Sequence, residues 1–354
     1  MTFTVSITPS GKTVSIDGET HILEAALKQG VVLPYGCKNG ACGSCKARIV
    51  SGEIIQDAHQ PSALTAVEAT RGYALLCCAR AASDLTVEAR VVAAVGEIPI
   101  RRMPCRVSAI ERVAPDVVVI RLQLPAQERL QYLPGQYVDL LLRDGTRRSY
   151  SMATAPGTAE GLELHVRHMP GGRFTDTAFG VAQPELKVRD ILRLEGPLGT
   201  FFLREDSDKP MVMVASGTGF APIKAILEHV RGLVESKGWN RAMTLYWGGR
   251  RPRDLYMDGL CRQWAADLPG FNYVPVVSDA TPEDAWHGRT GFVHRAAMED
   301  FPDMSGLQVY ACGAPVMVDA GRNDFISRCA LPADEFYADA FVTAADASAF
   351  SEGP

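Results

Sequence analysis

The stretch P-Y-G-C-K-N-G-A-C-G-S-C-K, residues 34–46, sets three cysteines in a Cys-x4-Cys-x2-Cys pattern. They are Cys37, Cys42 and Cys45, and a further candidate, Cys77, follows 32 residues after the last of them. In a plant-type two-iron, two-sulfur cluster, one tight loop and one distant segment supply four thiolates at this spacing. The pattern therefore predicts a 2Fe-2S cluster held by the three loop cysteines and one later thiol.

The glycines of this stretch support the same interpretation. Gly36, Gly40 and Gly43 let the backbone wrap closely around inorganic sulfide and turn its N–H groups toward it. The alternatives are a structural zinc site or ordinary buried thiols. Zinc loops usually repeat a Cys-x2-Cys pair, whereas here three thiols share one loop and a single one lies far away.

The later segment reads L-L-C-C-A and offers either Cys77 or Cys78 as the fourth ligand. If the segment is a strand, the two side chains point to opposite faces, and only one of them reaches the cluster. The residues alone leave both candidates open.

Length and composition indicate a multidomain globular protein. At 354 residues, with 47% hydrophobic and 22% charged residues, the chain predicts two or three soluble domains. No apolar run is long enough to span a membrane, and the start lacks the pattern of a signal peptide, so we expect a cytoplasmic protein. Nine cysteines without an export signal fit metal ligands and free thiols. The net charge of −5, with no basic tract, argues against nucleic-acid binding.

The first 93 residues predict a small sheet with one helix. Residues 3–8 and 12–16 alternate around Pro9-Ser10-Gly11, which indicates a hairpin. Thr20 is the predicted cap of a helix that Gly30 closes, with Ile22, Leu23, Ala26 and Leu27 on one face. The last strand is predicted at 86–92, and residues 94–103 read as a linker.

From Pro104 to residue 205 the pattern is a run of short strands, which favours an antiparallel barrel or sandwich. One example is the strand in which Val118, Ile120, Leu122 and Leu124 alternate with Arg121 and Gln123. Four motifs follow in order: R-R-S-Y-S-M-A-T at 147–154, H-V-R-H at 165–168, G-G-R-F-T at 171–175 and G-P-L-G-T-F-F-L at 196–203.

Residues 206–341 alternate strands and helices and predict a parallel α/β domain, with a small Ala-rich tail at 342–354. The apolar run Met211–Ala215 predicts a buried strand, and an amphipathic helix follows, closed by Gly238. Further buried strands are predicted at 243–247, 273–277 and 308–311. At the first strand-to-helix junction, Gly217-Thr218-Gly219 is suited to a pyrophosphate, although Pro222 stands in the region of the usual third glycine.

Together these motifs resemble the ferredoxin-NADP reductase-like flavoproteins, in the branch with an N-terminal plant-type 2Fe-2S ferredoxin. The resemblance covers nearly all of residues 1–341. It implies a β-grasp ferredoxin, then an antiparallel Greek-key β-barrel that binds FAD, then a parallel α/β NAD(P)-binding domain. It also aligns Cys77 with the fourth ligand, which leaves Cys78 as a buried neighbour. The amino-acid sequence is most similar to that of the CDP-6-deoxy-3,4-glucoseen reductases. Reductase components of oxygenases share the same domain order.

The resemblance assigns flavin roles to the barrel. Arg148 would pair with the pyrophosphate, Tyr150 would pack on the isoalloxazine, and Ser151 would lie near flavin N5; a guanidinium and a flat ring suit these contacts. The strand that lies along the flavin is matched by His165, Val166 and Arg167. The helix start that takes the diphosphate is matched by Gly172 and Thr175.

In the last domain the resemblance assigns the nicotinamide dinucleotide loop to Gly217, Thr218, Gly219 and Pro222. Cys312 and Gly313 match the motif beside the reacting nicotinamide carbon, and Phe341 matches the aromatic cover of the flavin. Cys312 as an ordinary buried thiol and Phe341 as a core residue are the alternatives. Near W-G-G, Arg250, Arg251 and Asp254 form either a solvated turn or the site of cofactor choice, for which we expect NADH, with NADPH as the alternative.

The implied activity is electron transfer from NAD(P)H through FAD and the cluster to a partner enzyme. The partner is either a pyridoxamine-phosphate-dependent dehydrase acting on a CDP-sugar or an oxygenase component, docked near Lys38, Lys46 and Arg80. No acid–base triad is required. A free-flavin reductase and a redox-sensing iron–sulfur protein are further alternatives; the first would work without its cluster and the second without rapid NAD(P)H oxidation.

Overall fold

The computed structural model describes residues 2–92, 95, 98–128, 130–157 and 161–342. The predicted tail from 343 onward and parts of the predicted linker lie outside the described residues. Two compact units emerge, one of residues 1–99 together with 339–354, and the other of residues 100–338. The predicted domain boundaries stay a prediction.

The first unit contains a five-stranded mixed sheet in the order β2-β1-β7-β3-β5, in which β1 and β7 run parallel, and a small β4-β6 sheet. Its elements are β1 (Thr2–Thr8), β2 (Lys12–Asp17), α1 (Ile22–Lys28), β3 (Lys46–Ser51), β4 (Ile54–Gln56), α2 (Ala66–Thr70), β5 (Tyr73–Leu75), β6 (Ala79–Ala81) and β7 (Leu85–Glu88). Alternate residues of the first hairpin, such as Val5, Ile7 and Val14, are fully buried, as the period of a half-buried strand requires.

Local sequence signals in this unit were partly right. The hairpin around residues 9–11 is confirmed. The predicted Thr20 cap is wrong, because α1 begins only after His21, and the backbone N–H of Leu23, which a Thr20 cap would bind, donates to the Leu76 carbonyl at 2.9 Å. The Asp17 carboxylate accepts the backbone N–H of Glu19 and of Thr20. The last strand is shorter than predicted and ends at Glu88.

The second unit begins with an antiparallel six-stranded sheet in the order β11-β10-β13-β8-β9-β12. Its strands are β8 (Arg101–Ala114), β9 (Val117–Gln123), β10 (Tyr137–Leu141), β11 (Arg147–Ser151), β12 (Leu162–Arg167) and β13 (Ile191–Leu198), with helix α3 (Arg173–Ala178) after β12. An antiparallel bridge between Met152 and Leu164 joins the two edge strands. The sheet is therefore closed into the predicted barrel, around a core that includes Val138, Leu164 and Leu194.

The rest of this unit is a six-stranded sheet in the order β17-β16-β15-β14-β18-β19, flanked by helices. Its elements are β14 (Met211–Ser216), α4 (Phe220–Lys237), β15 (Met243–Gly249), α5 (Asp258–Asp267), β16 (Phe271–Val277), β17 (Arg289–Thr290), α6 (Val293–Asp300), β18 (Gln308–Gly313), α7 (Pro315–Arg328) and β19 (Phe336–Ala340). β14 runs parallel to both β15 and β18. The strand order reverses at β14, and such a switch point is where open α/β sheets bind ligands.

The strands predicted at 243–247, 273–277 and 308–311 and the long helix are confirmed, although only Val276 and Val277 of the second stretch are buried. Gly238 closes α4 in the left-handed conformation, as predicted. Among the described residues, no helix has the length and apolar character needed to cross a membrane.

Candidate functional site

The cysteine loop owes its path to residues in the left-handed region. Gly40 and Gly43 have φ values of 78° and 70°, and Lys38 adopts 61°. A Cβ atom at Gly36 would lie 3.2 Å from Cys42 Sγ, and one at Gly40 would lie 2.8 Å from Cys78 Sγ. The glycines therefore keep open the space around the sulfurs, as their positions in the sequence suggested.

Backbone N–H groups point at the sulfurs of this loop. The Cys37 N–H donates to Cys42 Sγ at 3.3 Å, and the Ala41 N–H donates to Cys37 Sγ at 3.4 Å. The hydrogen bond from the Cys37 thiol lowers the pKa of Cys42 to about 6, in spite of its burial. The same contact raises the pKa of Cys37, so in this pair Cys42 is the thiol that loses its proton first.

Cys77 and Cys78 lie in a turn between β5 and β6, and not on a strand. Their sulfurs are 3.6 Å apart. The premise that the two thiols point to opposite faces is therefore wrong. Cys77 lies within hydrogen-bonding distance of Cys45, and this contact together with burial raises the pKa of Cys77. The Cys78 carbonyl accepts from the Asp57 N–H and the Gln56 side chain.

The donor set fits a two-iron cluster held by four thiolates. Three loop thiols and Cys77 form neighbouring pairs, Cys37 with Cys42 and Cys45 with Cys77. Two neighbouring pairs of thiols are the donor set that a two-iron cluster takes, with two thiolates for each iron.

Asp339 is a residue of this region that sequence reasoning missed. Its carboxylate oxygen lies 3.1 Å from the position of a Cβ atom at Gly36, and its side chain is buried. Burial and the neighbouring Cys42 raise the pKa of Asp339 to about 7. The only available signal was an acidic residue in the otherwise apolar A-D-A-F.

Two of the three basic residues predicted to dock the acceptor protein form ion pairs within this chain. Lys46 pairs with Glu68 at 2.6 Å, and Arg80 pairs with Asp57 at 2.7 Å. Lys38 lies over the ring of Tyr35. A partner would therefore meet neutralised charges at Lys46 and Arg80.

In the barrel, Arg148 and Tyr150 alternate along β11 and share one face of the strand, and Tyr150 packs against Phe174 with ring centroids 5.5 Å apart. Ser151 is buried, and its hydroxyl has no hydrogen-bond partner among the described residues. Such unpartnered buried hydroxyls are rare in folded proteins. This hydroxyl is free to bind a group outside the protein, as the prediction for FAD requires.

The next strand and helix contribute mainly backbone. The His165 imidazole contacts Glu163 at 3.0 Å and Tyr256 at 2.8 Å, and Val166 is buried in the barrel core. The Thr175 hydroxyl donates to the Met169 carbonyl at 2.8 Å. These side chains are engaged within the protein, and only their backbone groups remain for a ligand.

Gly172 caps α3 and leaves no room for a side chain, because a Cβ atom there would lie 2.4 Å from Thr175 Oγ1. The Arg167 guanidinium lies over Gly217, whose φ is 52°. Arg167 also pairs with Asp116 at 3.0 Å. The predicted flavin strand and the predicted dinucleotide loop are therefore in contact.

The two nicotinamide motifs pack directly on each other. A Cβ atom at Gly219 would lie 2.1 Å from the Cys312 carbonyl oxygen, and one at Gly313 would lie 2.3 Å from Ser216 Oγ. Cys312 is fully buried. Pro222 is buried in the first turn of α4. The structure thus brings the ends of β14 and β18 together at the switch point of the sheet.

At the end of β15, the Asp254 carboxylate accepts the backbone N–H of Arg250 and of Arg251, both at 2.9 Å. Arg251 pairs with Asp284 at 2.8 Å and donates to the Thr281 hydroxyl. Arg250 is exposed. Asp254 therefore closes a turn, and Arg251 is held by an ion pair.

Phe341 follows β19 directly and is half-buried. Its predicted contact with flavin stays a prediction.

A buried charged group was not anticipated from the sequence. Lys224 on α4 contacts Glu163 on β12 at 3.1 Å and Glu228 at 2.5 Å, and all three are largely shielded from solvent. Burial opposes ionisation of Glu163, yet the hydrogen bond from His165 and the charge of Lys224 hold its pKa at about 2. Lysine and glutamate at helical spacing are normally surface residues, so the sequence carried no signal for this burial.

Comparison with known proteins agrees with the three sets of motifs. A 2Fe-2S iron-sulfur cluster binding domain matches residues 5–82, an oxidoreductase FAD-binding domain matches 104–203, and an oxidoreductase NAD-binding domain matches 213–323.

Several related proteins align with this chain over more than nine-tenths of both sequences. The CDP-6-deoxy-L-threo-D-glycero-4-hexulose-3-dehydrase reductase of Yersinia pseudotuberculosis is 42% identical over 342 residues, 97% of this chain and 99% of the relative. Terephthalate 1,2-dioxygenase reductase component 1 of Comamonas sp. is 36% identical over 91% of this chain and 92% of its own. The crystal structure of the Amycolatopsis cytochrome P450 reductase GcoB has a TM-score of 0.71 and 35% identity, covering 96% of this chain and 99% of its own.

With these extents of similarity, the predicted fold class, the 2Fe-2S, FAD and NAD(P) cofactors and the oxidoreductase activity are confirmed. The zinc alternative is not supported. The chain belongs to the ferredoxin-NADP reductase-like iron–sulfur flavoproteins and transfers electrons from NAD(P)H through FAD to a 2Fe-2S cluster.

Proposed function

We propose that Arg148, Tyr150 and Ser151 form the flavin site, where the arginine binds the pyrophosphate and the serine hydroxyl hydrogen-bonds near N5. The unpartnered hydroxyl of Ser151 is the observation that carries this assignment. Bound FAD converts a two-electron hydride into single electrons. In this proposal the backbone of His165, Val166 and Arg167 lies along the flavin.

The same site would hold the diphosphate at Gly172 and Thr175. Arg148→Met should weaken FAD binding at least tenfold, measured by flavin fluorescence, because the bidentate phosphate contact is lost. Arg147→Met is the matched control: its guanidinium pairs with Glu195 on the opposite face of the strand, so FAD should stay bound. Equal FAD affinity in both variants would contradict the proposed role of Arg148 in FAD binding.

For the nicotinamide, the proposed loop is Gly217, Thr218, Gly219 and Pro222, with Cys312 and Gly313 beside the reacting carbon. The close packing of Gly219 on Cys312 supports one shared pocket for these motifs. Phe341 is the proposed aromatic cover that must move for the nicotinamide ring to stack. Phe341→Ser should strengthen nicotinamide binding in a titration followed by charge-transfer absorbance; unchanged binding would contradict that role.

The proposed cluster ligands are Cys37, Cys42, Cys45 and Cys77. Cys77→Ser should purify with much less iron and acid-labile sulfide than the unmodified chain. Cys78→Ser is the matched control, one residue away and equally buried, and should keep a full cluster. The reverse result would make Cys78 the ligand.

We infer that the physiological acceptor is a pyridoxamine-phosphate-dependent dehydrase acting on a CDP-6-deoxyhexulose, as for a CDP-6-deoxy-3,4-glucoseen reductase. The 42% identity to such a reductase over nearly the whole chain supports this partner. An oxygenase component is the second candidate, supported by the 36% identity to a dioxygenase reductase.

Reconstitution distinguishes the two partners. The purified chain, NADH and either the Yersinia dehydrase with its CDP-sugar substrate or the terephthalate dioxygenase component are assayed for product under matched flavin concentrations. Faster turnover with the dehydrase supports the proposal, and faster turnover with the oxygenase overturns it. If Cys42→Ser left acceptor turnover intact, the chain would be a free-flavin reductase instead.

NADH is the proposed hydride donor. Arg251 is tied to Asp284 and Thr281, so the pair Arg250-Arg251 offers one exposed guanidinium and no clamp for a 2′-phosphate. The kcat/KM for NADH should exceed that for NADPH, and Arg250→Ala should leave the NADH value unchanged. A preference for NADPH that Arg250→Ala abolishes would show the opposite. A cytoplasmic location stays a prediction.

A further inference from the structure

Five side chains form a polar group between the barrel and the nicotinamide sheet, which we call the Lys224 network: the buried Glu163 and His165 of β12, the buried Lys224 and half-buried Glu228 of α4, and the half-buried Tyr256 after β15. Lys224 lies at its centre, with its ammonium 3.1 Å from Glu163 and 2.5 Å from Glu228. All three ammonium donors are used, because the third contact is the Ala153 carbonyl at 3.0 Å.

The network holds the segment that follows the flavin motif. Lys224 binds the carbonyl of Ala153, and Glu228 accepts the backbone N–H of Ala155 at 3.0 Å. Ala153 is two residues beyond Ser151, whose hydroxyl is free for flavin. One helical turn, Lys224 to Glu228, therefore hydrogen-bonds to the backbone segment that directly follows Ser151, the proposed flavin residue.

The same helix starts at the proposed nicotinamide loop. α4 begins at Phe220, directly after Gly219, so Lys224 stands about one turn from the loop. A helix of this length is stiff, and a displacement of its first turn moves the loop and the lysine together. The spacing between the loop and Ser151 is thus set through Lys224.

A second, aromatic connection runs in parallel. The Trp247 indole N–H donates to the Gly217 carbonyl at 3.0 Å, and the Trp247 ring meets Tyr256 edge-on at 5.1 Å. The Tyr256 hydroxyl contacts His165 at 2.8 Å. The dinucleotide loop is therefore linked to β12 through Trp247 and Tyr256 as well as through Lys224.

The charges in the network are balanced. Two carboxylates, Glu163 and Glu228, face the single Lys224 ammonium, and Arg121 meets the other oxygen of Glu163 at 3.3 Å. Burial lowers the pKa of His165, so the imidazole is neutral in the folded protein at neutral pH. Loss of the lysine charge would leave two buried carboxylates to repel each other.

We propose that Lys224 is a positioning residue for hydride transfer, which fixes the flavin-bearing segment against the first turn of the nicotinamide helix. Hydride transfer needs the two rings in van der Waals contact, and displacements near 1 Å slow such steps by about a hundredfold. This inference rests on the proposed roles of Ser151 and of Gly217–Gly219.

The test is anaerobic stopped-flow reduction of the FAD-loaded protein by NADH. Lys224→Met should slow flavin reduction by about 10- to 100-fold and weaken the long-wavelength charge-transfer band, while the apparent Kd for NADH changes much less. Lys224→Arg retains the charge and should recover most of the rate. If Lys224→Met does not fold, Glu228→Gln takes its place; this variant retains the side-chain size and should also slow the reduction, by a smaller factor.

Lys209→Met is the matched control, because Lys209 forms an ion pair with Glu335 just before β14, at the end of the sheet away from the loop. In Lys209→Met, NADH should reduce FAD at the same rate as in the unmodified chain. A purely structural role for Lys224 predicts a lower Tm with a normal reduction rate and charge-transfer band, and that outcome overturns the proposal. Ser151→Ala separates the cases: if it slows reduction while Lys224→Met does not, the proposed flavin site stands and only this inference fails.

Discussion

The cluster loop, residues 34–46, and the Lys224 network are built in opposite ways. In the loop, three of the four proposed ligands lie within one stretch, and glycines in the left-handed region shape it locally. In the network, Lys224 meets a carbonyl 71 residues earlier in the chain. The exit of electrons therefore depends on local backbone geometry, whereas their entry depends on the docking of distant segments. Variants of each region should therefore fail in different half-reactions.

The largest expected effect is in the entry half-reaction. Gly219→Ala places a Cβ atom 2.1 Å from the Cys312 carbonyl oxygen, and the loop must shift by about 1 Å to relieve the overlap. We expect reduction of FAD by NADH to fall by about a hundredfold or more, while iron content stays unchanged. Stopped-flow absorbance measures the first quantity and a colorimetric iron assay the second.

Gly232→Ala, in the helix that follows Gly219, is the control, since its Cβ atom would meet no described atom within 4 Å apart from its chain neighbours and the backbone of its own helix. In this variant NADH should reduce FAD at the normal rate. The free energy of unfolding should rise by about 0.5–1 kcal/mol, because alanine favours the helix more than glycine does. Normal hydride transfer in Gly219→Ala would refute the close packing of the two nicotinamide motifs.

The next effect belongs to the exit half-reaction. Gly40→Ala adds a Cβ atom 2.8 Å from Cys78 Sγ and 3.0 Å from the His59 Cβ, at a φ of 78°. The crowding should lower the iron and sulfide content several-fold, because the loop can no longer close around the cluster. NADH should still reduce FAD at the normal rate.

Gly11→Ala has a similar φ of 70° but no atom of the described chain within 4 Å, so it isolates backbone strain from crowding. It should lose about 1 kcal/mol of stability and keep its cluster. Equal cluster loss in both variants would mean that strain, and not the space around the sulfurs, is decisive.

A smaller effect is expected at Ser151, within the entry site. Ser151→Ala removes a buried hydroxyl that has no partner in the described part of the protein, so the unfolding free energy should not fall, while flavin reduction slows by about tenfold. Urea unfolding of the apoprotein and stopped-flow reduction measure the two. Ser149→Ala should show the opposite pattern, because the Ser149 hydroxyl donates to Asp139 at 2.6 Å and has its partner within the protein. Equal reduction rates in the two variants would argue against a flavin contact at Ser151.

The last prediction is for the pH dependence of stability. The pKa of Glu163 is about 2 in the folded protein, below its ordinary value of 4.5, so the stabilisation is present above about pH 4.5 and is lost as the pH falls toward 2. The ionised Glu163 contributes up to about 3 kcal/mol to the free energy of unfolding. Urea unfolding at pH 6 and at pH 3.5 should show a flatter dependence for Glu163→Gln than for the unmodified chain. The exposed Glu185→Gln should behave like the unmodified chain, and identical slopes in all three would contradict the buried network.

Much of the fold followed from local pattern. The alternation in β9 predicted its buried face, and the apolar spacing of α4 predicted the helix and its closing Gly238. The errors arose where distant contacts decided the local structure: the Leu76 carbonyl accepts the backbone N–H of Leu23 that a Thr20 cap would bind, and a turn replaced the strand expected at Cys77 and Cys78. A hydrogen-bond partner from a distant segment is not visible in residue spacing.

The cluster loop, the order of three domains and the motifs of the two nucleotide sites could be predicted from the sequence, because each is encoded by residues close together in the chain. Three features became visible only in the folded chain: His165 turns toward Glu163 and Tyr256, Arg251 is held by Asp284, and Lys224 is buried. Burial and ion pairing depend on which distant segments pack together. A charged side chain has the same appearance in the sequence whether it faces water or a carboxylate in the interior.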